Sequence, residues 1–184
     1  YDHFDDLVEL RKTPPHPIFE GLMLKQRSST YVPGRPKGPW FKWKRDPFII
    51  DAVLVYAQRG HGKRSSYYSD YTFAVWTGPE TEPHLVPVGK AYFGFTDEEL
   101  KQLDAFVRNN TTERFGPVRS VRAEPQHGLV LEVAFEGLNR SKRHKSGVAM
   151  RFPRISRLRW DKPPIEADRL ETLEAMLRDD QPLV

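Results

Sequence analysis

Two lysines two positions apart, Lys42 and Lys44, alternate with aromatic residues in the run Phe41-Lys42-Trp43-Lys44. In a strand this alternation sends both ammonium groups to one face and both rings to the other. The ring face can pack on a core, while two positive charges about 7 Å apart at strand rise address an anion. A phosphate suits them better than a pair of carboxylates, because lysine acts as a point charge on phosphoryl oxygens. Upstream, Glu20-Gly21-Leu22-Met23-Leu24-Lys25 sets an acid at the head of a short apolar run and a lysine at its tail. Taken alone, these two read as a solvated acid and a surface lysine. They have opposite strand parity, so they converge only if the strand bends between them. A third set lies in MRFPRISRLRWDK over 150–162, with Arg154, Arg157, Arg159, Asp161 and Lys162. Extended, this segment puts Arg157, Arg159 and Asp161 on one face and Phe152, Leu158 and Trp160 on the other. Pro153 restricts it to a sheet edge or an irregular segment.

The net charge of the 184 residues is +4, and its distribution matters more than its size. Basic residues cluster at 35–45, 59–64, 140–145 and 151–162, while acids gather near both termini and in 96–104. That is the footprint of a polyanion partner, although a heparin-type surface would use the same charges. Two clusters are candidate backbone contacts: the turn Arg59-Gly60-His61-Gly62-Lys63-Arg64, and the run Arg140 to Lys145 with Lys142 and Arg143. The default reading of the second is a solvated loop. The chain has no cysteine, which excludes a disulfide framework and a thiolate zinc site and fits a reducing cytoplasm. Its six histidines are scattered without ligand spacing. The most apolar run, Phe48 to Ala57, is short and contains Asp51, so no membrane span is expected. With 38% hydrophobic and 29% charged residues, a soluble globular protein is expected, long enough for one compact domain plus part of another. Tyr1 falls inside a helix-like stretch, which predicts that the chain is a piece of a longer protein.

The elements that must position these residues can be read in order. Leu7, Val8 and Leu10 sit at helical spacing, and Pro14-Pro15 stops that helix. Phe19 to Lys25 and Trp40 to Lys44 read as strands of one sheet, joined by a loop rich in Pro, Gly and Ser. Lys44-Arg45-Asp46-Pro47 reads as a boundary, giving a first domain over 1–46 and a second over 47–184. In the second, strands are predicted over Phe48–Gln58, Tyr67–Trp76 and Leu85–Tyr92. Thr96 and Glu99 form a capping box, opening a helix with Leu100, Leu103, Phe106 and Val107 inward. Strands follow over Val118–Arg122 and Leu129–Glu136. Asp168 and Glu171 read as a second capping box, with Leu170, Leu173 and Leu177 inward. Three strands, a helix and two strands is the order of an OB-fold, a five-stranded Greek-key barrel. The expected class is therefore mainly β with helices.

The EGLMLK run, a loop with a Tyr and basic residues, and the W-x-K-x-K strand resemble the last two adenylation-domain motifs of the ATP-dependent DNA ligases. RFPRISRLRWDK closely resembles that family's final motif, and GHGKR, TDEEL and EVAFEGLNRS look like family features in the family's order. The resemblance spans about residues 18 to 165 and is most similar to the bacterial repair-type enzymes. It implies the end of a nucleotidyltransferase (adenylation) domain followed by an OB-fold, and an enzyme that seals nicks in duplex DNA through enzyme–AMP and DNA–adenylate intermediates. It implies ATP and Mg²⁺, with Glu20 as a metal ligand and Glu20, Lys25, Lys42, Lys44, Arg154 and Arg157 around the nucleotide. Lys42 and Lys44 would contact the AMP phosphate. Arg159, Asp161 and Lys162 would belong to a lid that orients the pyrophosphate and swings about Lys44 to Pro47. Arg59, Lys63, Arg64, Lys142 and Arg143 would face the DNA backbone. A monomer acting on the bacterial nucleoid, away from membranes, is implied as well.

The family's nucleophilic lysine lies in a K-x-D-G motif, and this chain contains no Asp-Gly dipeptide. The nucleophile is expected upstream of Tyr1, and the 184 residues alone are expected to be inactive. Three alternatives stay open at this point. An mRNA-capping guanylyltransferase shares the K-x-K strand before an OB-fold. An NAD-dependent ligase is the poorer match, because it usually carries a cysteine zinc site. A non-catalytic OB-fold could stack single-stranded bases on Tyr67, Tyr68, Tyr71 and Trp76.

Overall fold

The computed structural model describes residues 1–16, 19–34, 37–60, 67–92 and 96–177. The chain divides into two compact units, Tyr1–Pro47 and Phe48–Val184.

In the first unit a helix, α1 (Phe4–Lys12), precedes a hairpin of β1 (Gly21–Lys25) and β2 (Trp40–Lys44). The register sets Gly21 opposite Lys44, Met23 opposite Lys42, and Lys25 opposite Trp40. Leu22, Leu24, Phe41 and Trp43 therefore share one face. The Trp43 ring stacks on Phe4 of α1 at 5.2 Å, and Leu7 of α1 is buried. Arg11 ties the end of α1 to the end of β2, donating from Nε to the Lys44 carbonyl at 2.6 Å and pairing with Asp46. Gly21 takes φ 147°, and a Cβ there would stand 2.4 Å from the Trp43 carbonyl oxygen. A glycine is thus a steric requirement of this hairpin.

The second unit is mainly β with few helices, in a curled, OB-fold-like sheet. Its spine is β3 (Phe48–Arg59), joined by β4 (Tyr68–Thr77), β5 (His84–Tyr92), β8 (Val130–Phe135) and β11 (Arg154–Arg159) in the order β11-β8-β3-β4-β5. A second hairpin, β6 (Thr111–Phe115) and β7 (Val118–Val121), pairs with the far end of β3 at Tyr56–Gln58. Between β5 and β6 lies α2 (Asp97–Asn109), whose Thr96–Glu99 capping box forms in both directions. Its inward Leu103 and Val107 join a core of Ile50, Leu54, Phe73, Leu131, Val133 and Phe135. Leu129, Leu131, Val133 and Phe135 all face that core, as their alternation predicts. On the opposite face Val53, Trp76 and Val130 make a smaller cluster with Ala167.

Two expectations are corrected. The segment 150–162 is not one extended run: it breaks at Phe152, where φ is 50°, into β10 (Val148–Arg151), paired with β9 (Gly137–Arg140), and β11, paired with β8. A bulge between Ile155 and Arg157 turns both Ile155 and Leu158 inward, while Phe152 is exposed and joins neither. The capping box at Asp168 does not form either. The terminal helix, α3 (Leu170–Met176), has Arg169 at its N-cap without a side-chain bond. The Asp168 carboxylate instead accepts the backbone N–H of Asp51 at 2.7 Å, and its own N–H donates to the Asp51 carbonyl at 2.8 Å. The side chain is used to tie the 163–168 segment to β3 because an edge backbone donor there needs an acceptor.

Candidate functional site

The hairpin register gathers three lysines. Lys25, Lys42 and Lys44 share the face of β1–β2 that also carries Met23 and Trp40. Lys25 reaches this face by pairing opposite Trp40, and its ammonium group lies 4.4 Å from the centroid of that ring. Two cavities of this unit open on the hairpin. One, of about 530 Å³, is lined by Leu7, Leu22, Leu24 and Phe41; the other, of about 200 Å³, by Met23, Tyr31, Trp40 and Lys42. Glu20 stands just before Gly21, its carbonyl accepting the Arg45 N–H at 2.9 Å. Among the described residues no cluster of three or more His, Asp or Glu side chains could hold a metal by itself. Mg²⁺ is commonly held through one or two carboxylates plus substrate phosphates rather than by a dedicated all-protein cage.

In the second unit the RWDK residues form an ion-pair network on Asp51 of β3. Asp51 Oδ2 accepts Lys162 Nζ at 2.8 Å and Arg159 Nη1 at 3.1 Å. Arg159 turns its Nε and Nη2 onto Asp161, each at 2.9 Å, in a forked pair. Side-chain exposure is 13% for Asp51, 18% for Arg159 and 22% for Lys162 but 68% for Asp161. The inner part of the network is thus covered while its outer carboxylate is open to water. The Arg159 fork holds the Asp161 carboxyl down at about 2, and the same bond raises the Arg159 guanidinium. Asp51 Oδ1 is buried without a hydrogen-bond partner. Arg157 pairs with Glu132 at 3.2 Å, and Arg154 is exposed at the start of β11.

The remaining candidates are spread over the barrel surface. Arg59 closes β3 with its guanidinium over the Tyr68 ring. Lys63 and Arg64 lie outside the described residues. Lys142 and Arg143 project from the β9–β10 loop, which is anchored by buried Ser141 and Ser146. Of the aromatics that could stack bases, Tyr68, Tyr71 and Trp76 are buried and Tyr67 is exposed. Burial also pushes the Tyr71 phenol well above its usual range, and it donates to the Tyr68 carbonyl. Trp76 Nε1 donates to Pro164 O at 2.6 Å. Tyr68 and Tyr71 belong to the main core, and Trp76 to the smaller cluster on the opposite face. Sequence reasoning missed Asp51, whose signal was present: one acid inside the apolar run FIIDAVLV must have a partner when that strand is covered.

Among the described residues no helix is long and apolar enough to cross a membrane. A family profile described as the ATP dependent DNA ligase C terminal region matches residues 64–162, more than half of the chain. A probable DNA ligase of Koribacter versatilis is 46% identical over 159 residues, which are 86% of this chain and 26% of that protein. A DNA ligase of Archaeoglobus fulgidus is 36% identical over 177 residues, 95% of this chain and 31% of that protein. The chain thus spans under a third of the length of these two relatives. Among solved structures, "Pmar-Lig_PreS3" superposes with a TM-score of 0.60 at 18% identity, over 84% of this chain and 30% of that one. The ligase domain of M. tuberculosis LigD gives 0.51 at 24% identity, over 79% of this chain and 46% of that one. Those two likenesses are of fold. The profile match and the sequence identities make the chain a member of the ATP-dependent DNA ligase family, carrying its C-terminal region.

Proposed function

We propose that this chain is the C-terminal part of an enzyme that seals nicks in duplex DNA, with residues 1–46 ending the adenylation domain and 47–184 forming the OB-fold. In this reading a lysine upstream takes AMP from ATP and releases pyrophosphate. The AMP passes to the 5′-phosphate of the nick, and the 3′-hydroxyl displaces it. The observation that carries the reading is the shared face of Lys25, Lys42 and Lys44, three cations gathered by the register of one hairpin. Charge that develops on a phosphoryl group is stabilised by such fixed cations without reorganisation. Lys42 and Lys44 would hold the AMP phosphate, and Lys25 and Glu20 the nucleotide side of the pocket. Bound Mg²⁺, with Glu20 among its ligands, would neutralise phosphate charge.

The second unit supplies a separate set of cations. Arg159 and Lys162, fixed on Asp51, would orient the leaving pyrophosphate, with Asp161 as the exchangeable partner of the Arg159 fork. Arg154 and Arg157 would extend that surface toward the nucleotide. Arg59, Lys63, Arg64, Lys142 and Arg143 would hold backbone phosphates, which position a duplex without reading its sequence. The protein would work as a monomer in the cytoplasm. The single-strand stacking alternative loses support because three of its four aromatics are buried.

The test is sealing of a nicked duplex by the full-length polypeptide that contains this chain, supplied with ATP and Mg²⁺. Sealed product preceded by a covalent AMP–protein adduct is expected. The 184 residues alone are expected to form no adduct, and an AMP adduct found on them by mass spectrometry would overturn the upstream nucleophile.

A further inference from the structure

Arg11 brings the end of α1 against the last residue of the lysine face. It lies in the last turn of that helix, on the same face as Phe4. Both residues meet the Trp43 ring: Phe4 stacks on it at 5.2 Å, and the Arg11 guanidinium carbon lies 5.3 Å from its centroid. From there the guanidinium fork divides. Nε donates to the Lys44 carbonyl at 2.6 Å, and Nη2 donates to the Asp46 carboxylate. The Arg11 side chain is 14% exposed and that of Asp46 82%, so the fork is covered while its anchor stands in water.

Lys44 needs such a hold because it stands at the end of the ladder. The Arg45 N–H bonds to the Glu20 carbonyl, which makes Gly21 and Lys44 a pair that exchanges no ladder bonds. The Lys44 carbonyl therefore points to the outer edge of β2, where Arg11 takes it. On the inner side Gly21 comes so close that a Cβ would stand 2.6 Å from the Lys44 Cα. The main chain of Lys44 is thus held from both sides, by a glycine that approaches it and a fork that binds it. A cation in the last turn of a helix is favourable through its charge alone, and an exposed ion pair contributes little to stability. Neither effect requires a covered fork on a backbone carbonyl 33 residues away.

We propose that Arg11 is a positioning residue for adenylyl transfer: it acts through Lys44, fixing the main chain of that lysine so that its ammonium group meets the phosphate in one place. A planar fork serves the carbonyl and the Asp46 carboxylate together, whereas the point charge of a lysine does not fix both in one plane. Cations set in advance stabilise a developing phosphoryl charge because nothing has to move as it forms. The role given to Arg11 rests on the reading of Lys44 as a phosphate contact; the hold on the Lys44 carbonyl rests on the geometry alone.

The experiment is single-turnover AMP attachment to the full-length polypeptide at saturating ATP with Mg²⁺, in Arg11→Ala, Arg11→Lys, Lys44→Ala and the double variant Arg11→Ala/Lys44→Ala. Rate constant and amplitude are read separately, because a destabilised fold lowers the fraction of protein that reacts while a displaced lysine lowers the rate. Arg11→Ala and Arg11→Lys are each expected to slow attachment by roughly tenfold with the amplitude kept. In the Lys44→Ala background the loss of Arg11 should add less than about twofold, since the residue it acts through is gone. Hydrogen exchange tests the hold without turnover: the Arg45 amide, bonded to Glu20, should exchange faster in Arg11→Ala. Unchanged exchange there would overturn the proposal, as would a wild-type rate in Arg11→Ala or a lower amplitude at an unchanged rate. A wild-type rate in Arg11→Lys would overturn it too, by showing that charge alone suffices, and so would full multiplication of the two single losses in the double variant. If Lys44→Ala is slow while Arg11→Ala is not, this inference falls and the lysine-face reading stands. If Lys44→Ala reacts at the wild-type rate, that reading falls and this inference falls with it.

Discussion

One oxygen of Asp51 accepts both Lys162, at 2.8 Å, and Arg159, at 3.1 Å, and so gathers on β3 one cation from the end of β11 and one from the turn that follows it. Removing the carboxylate would leave two largely covered cations near each other, with Asp161 alone as the partner of Arg159. Asp51→Ala is therefore expected to lower stability by about 2–3 kcal/mol, somewhat below the loss for fully buried pairs because both partners keep some water. Asp51→Asn retains an acceptor and should cost less. Urea denaturation of the chain checks this, and an unchanged midpoint in the alanine variant would show that the network contributes nothing.

Asp168 gives a second expectation. Its carboxylate serves the Asp51 N–H rather than the start of α3, so Asp168→Ala should free that donor and loosen the 163–168 segment at a cost of about 1–2 kcal/mol. Hydrogen exchange at the Asp51 amide should quicken while the amides of α3 change little. Faster exchange confined to α3 would restore the capping role that the sequence pattern first implies.

The open end of the network titrates. Asp161 has its carboxyl held at about 2, against an ordinary 3.8, by the Arg159 fork. A depressed carboxyl contributes stability in full above its ordinary value, and that contribution fades as the pH falls toward the folded value. The window therefore runs from about 4 down to about 2, with no effect expected near neutrality. Carboxyl carbon shifts of Asp161 measured by NMR should show a midpoint near 2, and Arg159→Gln should return it toward 3.8. A midpoint unchanged by that substitution would mean that the fork is not the cause.

Much of the second unit was legible in its periodicity. The three long strands, the Thr96–Glu99 box and the inward stripe of α2 follow from local rules, and the structure keeps them. The failures share a cause. Phe152 and the bulge after Ile155 are choices of tertiary packing, and alternation alone cannot announce a break in itself. Asp168 and Glu171 have the spacing of a cap, but the nearby Asp51 amide is the acceptor's better use, and proximity across more than a hundred residues is not written locally. Register likewise decided the fate of Lys25: parity along β1 separates it from Glu20, while pairing across the hairpin joins it to Lys42 and Lys44. Membership in the ligase family, read from ordered motifs, also settles the choice against the capping guanylyltransferases.

The most direct test of the lysine face is the rate of covalent AMP attachment to the full-length polypeptide, measured in a single turnover with ATP and Mg²⁺. Lys42→Ala and Lys44→Ala should each slow it by about 100-fold or more, the loss expected when one fixed partner of a developing charge is removed. Attachment at the wild-type rate in both variants would contradict the account.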